Sequence, residues 1–295
     1  MKLSEKQFRV KPGSHVRLRR WDPADTRPFE SNDGVDDRLK KDLLRLFHLQ
    51  ELLYAEQRWA LLIVFQAMDA AGKDGAIKHV MSGLNPQGTT VASFKGPSAH
   101  ELAHDFLWRV NAALPERGNI GVFNRSHYEE VLAVRVHPEY LAAQHLPDRV
   151  VTKHLWDERF EDINAFERHL VRNGTVIRKF FLHVSKQEQR RRFLERLDDP
   201  AKNWKFSLAD TRERDRWDDY VRAYEEMLPA TSTAEAPWYI IPADQKWFAH
   251  LAVAQVIIEA LEALDLAFPK PDPDQQKALA LARRYLRDRG GRRKG

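Results

Sequence analysis

Ala67-Met68-Asp69-Ala70-Ala71-Gly72-Lys73-Asp74-Gly75 gathers a lysine, two aspartates and a run of small residues into one short loop, followed by a helix-period run from Ala76 to Leu84. Small residues let the backbone turn sharply, so that consecutive N–H groups converge on one point, and the positive end of a helix dipole adds to them. That combination holds a phosphate, and Lys73 brings a full charge to its outer oxygens. The loop departs twice from G-x-x-x-x-G-K-[ST]: Ala67 stands where the first glycine belongs, and Asp74 replaces the metal-binding hydroxyl. With that hydroxyl gone, Asp69 is the natural ligand for Mg2+, and Asp74 is placed to contribute through water. Ala71, Gly72, Lys73, Asp74 and Gly75 are read as phosphate-binding, with Lys78 a further candidate along the helix.

A second cluster follows the apolar run that ends in Phe123: Asn124-Arg125-Ser126-His127-Tyr128-Glu129-Glu130. Ligands of parallel sheets bind outside the carboxyl ends of the strands, so this stretch is expected to face the loop. Arg125 offers a guanidinium fork for a phosphoryl group. Asn124 stands where such proteins often carry an acid, and Glu129 could restore that charge near the metal or meet the acceptor. A competing motif, His100-Glu101-Leu102-Ala103-His104, matches the zinc signature H-E-x-x-H. Its place between two expected parallel strands, and the lack of a third ligand at any telling spacing, argue against a metalloprotease. Lys95 and Arg109 on either side of it suit a ligand-facing crossover.

These residues need a scaffold, and the chain supplies five short apolar runs: Ala60 to Ala67, Thr89 to Phe94, Asn119 to Phe123, Val176 to Val184 and Trp238 to Ile241. Helix-period stretches lie between them, among them Ser98 to Leu114, Val150 to Val171 and Gln245 to Leu264. The alternation predicts an α/β fold with a central parallel five-stranded sheet between helical layers. Asp36 to Arg58 reads as an amphipathic helix packed on that core. From Leu197 to Tyr220 mixed charges crowd around a few aromatics, with Asp199-Pro200 as a stop and Ser207 or Asp210 as a helix cap, a composition that suits a flap over a charged ligand. The organisation expected is an N-terminal basic arm and helix over 1–58, a core over 59–268 with the flap at 197–220, and a basic tail over 269–295.

Composition narrows the classes further. The 295 residues contain no Cys, which excludes disulfide scaffolds and thiol catalysis, and no apolar run is long enough to span a bilayer. The N-terminus has no apolar signal core, so a cytoplasmic location is expected. The formal charge of +5 is concentrated at the two ends, which leaves the body mildly acidic. Basic ends attract polyanions in a salt-dependent way, but an acidic body does not suit a nucleic-acid binder.

Taken together, the blocks FQAMDAAGKDGAIKHVMSGLNPQGTTVASFKGPS, HDFLWR, GVFNRSHYEEVL, RRRFLERLDDPAKNWKFS with RWDDY, and PWYIIPADQKWFAHLAV resemble the polyphosphate kinase 2 family. The resemblance implies a three-layer α/β/α P-loop kinase fold with a helical lid, and Mg2+-dependent phosphoryl transfer between inorganic polyphosphate and a nucleotide, with Mn2+ as a substitute ion. It matches Asp69, Lys73 and Arg125 to the family's catalytic positions, and sets Arg192, Lys202 and Lys205 in the lid region as phosphate-binding candidates. Asn124 with Glu129 is similar to the branch that phosphorylates both nucleoside mono- and diphosphates, so Asn124, Glu129, Lys95 and Arg109 are read as the acceptor side. Adenine nucleotides are the expected acceptors, with guanine second, and a homodimer or homotetramer is the expected assembly. An ATP-using nucleoside monophosphate kinase and a sensor that binds without turnover are the rival readings.

Overall fold

The five apolar runs form β1 (Ala60–Ala67), β2 (Thr89–Ser93), β3 (Ile120–Asn124), β4 (Thr175–His183) and β5 (Trp238–Pro242). In the computed structural model, which describes residues 3–290 apart from the side chains of 205, 209, 210 and 288–290, they pair in parallel in the order β2-β3-β1-β4-β5. β1 lies at the centre and is buried along almost its whole length, as expected for a strand covered on both faces. Its register sets Phe65 opposite Asn124 and Ala67 opposite Leu182. The ends of β1 and β3 therefore open side by side.

The longer helices are α1 (Val35–Glu56), α2 (Lys73–Met81), α3 (Leu155–Arg172), α4 (Lys186–Asp198), α5 (Trp217–Thr231), α6 (Lys246–Glu262) and α7 (Pro273–Gly290). α6 is apolar nearly all round and packs against α1, α2 and the sheet, so it is buried on most sides. On β4, Phe181 meets Tyr224 of α5 at 4.2 Å between ring centroids, while its neighbour Phe180 stacks on Phe65 at 5.2 Å. Helices thus cover the sheet from both sides, which makes three layers.

Four features differ from the sequence reading. The helix expected over 98–114 is two four-residue pieces, Ala99–Leu102 and Trp108–Asn111; the Asp105 side chain accepts from the Leu107 N–H at 2.9 Å and so offers the backbone an alternative to the helix between them. The helix after the phosphate loop starts at Lys73 itself. The N-terminal stretch is no free arm. Leu3, Phe8, Val10, Val16 and Leu18 are buried, and backbone bonds from Val10 N–H to Trp238 O and from Ile240 N–H to Phe8 O lay it along β5. Finally, the basic tail carries α7, whose described side chains are all exposed.

Over the expected flap the boundaries agree better. α4 stops at Asp198, just before Asp199-Pro200, and a short helix Leu208–Glu213 begins directly after Ser207.

Candidate active site

The loop between β1 and α2 is shaped by two residues with left-handed backbone, Ala70 (φ 59°) and Gly72 (φ 105°). Glycine takes that conformation freely, whereas an alanine there costs about 1–2 kcal/mol. Arg125, directly after β3, is a third such residue (φ 62°), and its N–H bonds to Phe65 O at 3.1 Å. Strain in non-glycine residues concentrates where surrounding structure enforces it for function. Here both strained residues flank one opening.

Across that opening Arg125 Nη2 donates to Asp69 Oδ1 at 3.2 Å, and Nη1 lies 3.8 Å from Glu129 Oε2. The neighbouring Glu129 carboxylate, followed by Asp69 against the cost of desolvation, raises the Arg125 pKa. Lys73 bends back over the loop and donates to Ala67 O at 3.1 Å. Burial, with Arg125 close by, pushes its ammonium below the usual lysine range, although Asp69, Glu129 and Asp74 pull the other way. Asn124 Nδ2 donates to Asp74 Oδ1 at 3.0 Å, which joins the end of β3 to the first turn of α2. Thus Asp69, Lys73, Asp74, Asn124, Arg125 and Glu129 meet as expected. Ala71 and Gly72 shape the loop itself, while Gly75 and Lys78 lie further along α2, exposed.

Arg192 takes a different place from the one expected. It is buried, and its guanidinium donates to Ala70 O (3.1 Å), Ala71 O (2.7 Å), Ala243 O (2.6 Å) and Asp244 O (3.1 Å), with Nε on Glu188 at 2.7 Å. These bonds engage all five of its N–H donors, so it braces the loop from behind and has none left for phosphate. Lys202 is exposed and paired with Asp199 at 2.7 Å, and the side chain of Lys205 lies outside the described residues.

Beside the opening lies a cavity of about 480 Å3, walled by Lys95, Arg109, Arg125, Glu129 and the apolar side chains of Phe94, Phe106, Ala133, Val134 and Leu146. Arg109 is fixed there by Lys95 O at 2.8 Å and by Glu101 at 3.7 Å. A cavity whose walls are largely apolar but also carry Lys95, Arg109 and Arg125 suits a nucleoside carrying phosphates. The wall also includes a buried carboxylate, Glu130, gripped by Gln144 Nε2 at 3.1 and 2.9 Å and with Arg159 Nε at 3.3 Å. The H-E-x-x-H residues make no zinc site. Glu101 caps its own short helix, His104 bonds to His100 O and stacks on Trp108, and among the described residues no group of three or more metal-binding side chains converges.

Other contributors carried no motif. Gln189 donates to Asp69 O at 2.9 Å. Beneath the Arg125 segment, fully buried Lys179 donates to Glu167 at 2.5 Å, to Tyr128 Oη at 2.8 Å and to Thr231 O at 2.6 Å, and Tyr128 Oη donates to Glu167 at 2.7 Å. A charged residue in an apolar strand, as Lys179 is, is the one signal the sequence offers for this network.

The two-carboxylate set suits Mg2+. Asp69 and Glu129 supply hard oxygen donors on the two sides of one guanidinium, and such an ion takes one or two carboxylates with phosphate oxygens rather than a full protein cage.

A phosphate loop, an arginine facing it and a nucleotide-sized cavity, on a parallel sheet ordered 2-3-1-4-5, define a P-loop phosphotransferase. Residues 30–269 match the family model described as polyphosphate kinase 2, and the chain belongs to that family. It is 54% identical over 288 residues to the ADP-polyphosphate phosphotransferase of Rhodopseudomonas palustris, covering 97% of this chain and 99% of that one. It is 46% identical over 273 residues to the AMP/ADP-polyphosphate phosphotransferase of Meiothermus ruber, covering 92% and 98%. The crystal structure of polyphosphate kinase 2 from Arthrobacter aurescens TC1 superimposes with a TM-score of 0.86 at 39% identity, over 96% of this chain and 99% of that one.

Proposed function

We propose that the protein transfers the terminal phosphoryl group of inorganic polyphosphate to adenine nucleotides, AMP to ADP and ADP to ATP. The observation that carries this reading is the Asp69–Arg125–Glu129 constellation between the phosphate loop and the cavity. Phosphoryl transfer asks little covalent chemistry of a protein; it asks that two phosphate chains be held in line and the moving charge be neutralised. The loop amides and Lys73 hold the donor end, the cavity with Lys95 and Arg109 holds the acceptor, and Arg125 sits between them where charge develops. Asp69 and Glu129 would hold Mg2+, which supplies neutralisation of phosphate oxygens when bound. The 197–220 segment acts as the lid that excludes water.

The names of the two relatives divide on AMP, since one names ADP alone and the other both nucleotides. Asn124 and Glu129 support the dual reading. Among the described residues no helix is long and apolar enough to cross a membrane, in keeping with the cytoplasmic location we infer. The exposed α7, with Leu279, Leu281, Tyr285 and Leu286 open to solvent, is in keeping with a homodimer or homotetramer.

The test is to incubate the protein with Mg2+, long-chain polyphosphate and either AMP or ADP, without ATP, and to resolve the nucleotides by ion exchange. ADP and ATP formed from AMP are the expected products. Reaction of ADP alone would remove the dual-acceptor reading. Transfer only from ATP would make the protein an ordinary nucleotide kinase, and binding without product would make it a sensor.

A further inference from the structure

His137 lies between the two short helices Ala133–Val136 and Pro138–Ala142, whose Ala133, Val134 and Tyr140 line the cavity. It is buried, and its ring stacks on Tyr140 at 4.8 Å with the planes 24° apart. Both ring nitrogens face carboxylates at 2.9 Å: Nδ1 faces Glu139, and Nε2 faces Glu213. Glu213 is the last residue of the short helix Leu208–Glu213, in the segment read above as the lid. Its carboxylate also accepts from Tyr220 Oη at 3.1 Å.

Two further bonds tie the same root. Arg216 Nη1 donates to Val136 O at 3.2 Å, which fastens it again to the cavity wall. Arg214 Nη1 donates to Gln189 Oε1 at 2.6 Å, and Gln189 in turn holds Asp69 O. The cavity wall, the root of the 197–220 segment and the phosphate loop are thus joined by unbroken contacts, although the cavity and the loop sit on different strands. Such a chain couples two sites if its members move between discrete arrangements.

We propose that His137 and Glu213 are positioning residues that latch the lid to the acceptor cavity, so that a nucleotide seated against Tyr140 sets the lid over the donor phosphates. The inference rests on the reading of the cavity as the acceptor site. Tyr140 is part of the cavity wall, its ring lies on His137, and His137 grips the lid helix through a single carboxylate. Occupation of the cavity therefore reaches the lid without passing through the phosphates. This order of events suits a transferase whose donor chain would otherwise lose its phosphoryl group to water.

The experiment uses the full chain with AMP and no polyphosphate. AMP affinity is measured by titration calorimetry, and lid accessibility by limited trypsin digestion at the exposed Lys202 and Arg212. In the unsubstituted protein AMP is expected to slow cleavage at those sites by at least about fivefold, the low end of ordinary coupling between sites. In Glu213→Gln, and separately in His137→Asn, the slowing should fall below roughly twofold, and the dissociation constant for AMP should rise by no more than the factor by which protection falls, as reciprocity between the two sites requires. The same variants should also lose kcat, with KM for AMP raised by no more than that factor, a split that simple loss of fold would not give. Equal protection in the variants, or none in the unsubstituted protein despite AMP binding, would overturn the latch and leave the proposed reaction standing. Failure of AMP to bind at all would overturn both.

Discussion

Asp69 accepts from Arg125 with one carboxylate oxygen, while its backbone carbonyl is held by Gln189, so its position does not depend on its charge alone. Asp69→Asn should therefore keep the fold and lose the oxygen donor that suits Mg2+. The expected outcome is a fall in kcat of about 10²-fold or more with an unchanged melting temperature, and near-normal turnover would remove Asp69 from that role. Lys73 makes a second prediction at this scale. Burial and the facing Arg125 lower its pKa, so the side chain sheds its proton at a lower pH than an exposed lysine. The charge we propose to neutralise donor phosphate is present on the acid side of that pKa and lost above it. In a pH profile, kcat/KM should fall on the alkaline side before the usual lysine range is reached. Lys73→Arg, whose guanidinium does not titrate there, should remove that limb from whatever activity remains; an identical limb in both proteins would assign it to another group.

The elements explain why part of the site was legible and part was not. Strand, small-residue turn and helix are local patterns, so the loop from Ala67 to Gly75 and its neighbour from Asn124 to Glu129 could be read from spacing. Arg192 could not, because its role arises from α4 crossing behind the loop, and nothing local distinguishes it from Arg190 or Arg191. The helix expected over 98–114 failed for the opposite reason, since a local bond from Asp105 outweighed a fair helical period. The Lys179 network is equally non-local: it ties β4, α3, α5 and the turn after Arg125 into one buried unit. Removing one partner of a buried ion pair strands the other charge and costs about 3–5 kcal/mol. Lys179→Met should show a loss of that order in urea unfolding, whereas Lys179→Met with Glu167→Leu should lose less, because no charge is left unpaired. A single variant that loses under about 1 kcal/mol would mean that Glu167 had already been neutralised.

On the scale of the whole molecule, the C-terminal end separates charge from fold. Residues 271–295 contain eight Lys or Arg against three Asp or Glu, which equals the chain's formal excess of +5, while every described side chain from 271 to 287 is exposed. An exposed helix adds little to the core. Ending the chain at Lys270 should accordingly shift the melting temperature by less than about 2 °C, the change expected for under about 1 kcal/mol in a domain of this size. What the truncation removes is long-range attraction for a polyanion, and that attraction is screened over about 10 Å at 0.1 M salt. With long-chain polyphosphate the shortened protein should show a lower kcat/KM at low ionic strength, and the two proteins should converge as salt is raised. The dependence of kcat/KM on salt should also be shallower without the tail, because fewer cations contribute to the encounter. A difference that persisted at high salt would show instead that α7 acts through contacts, and size-exclusion chromatography of the two proteins would then reveal whether those contacts join one copy of the chain to another.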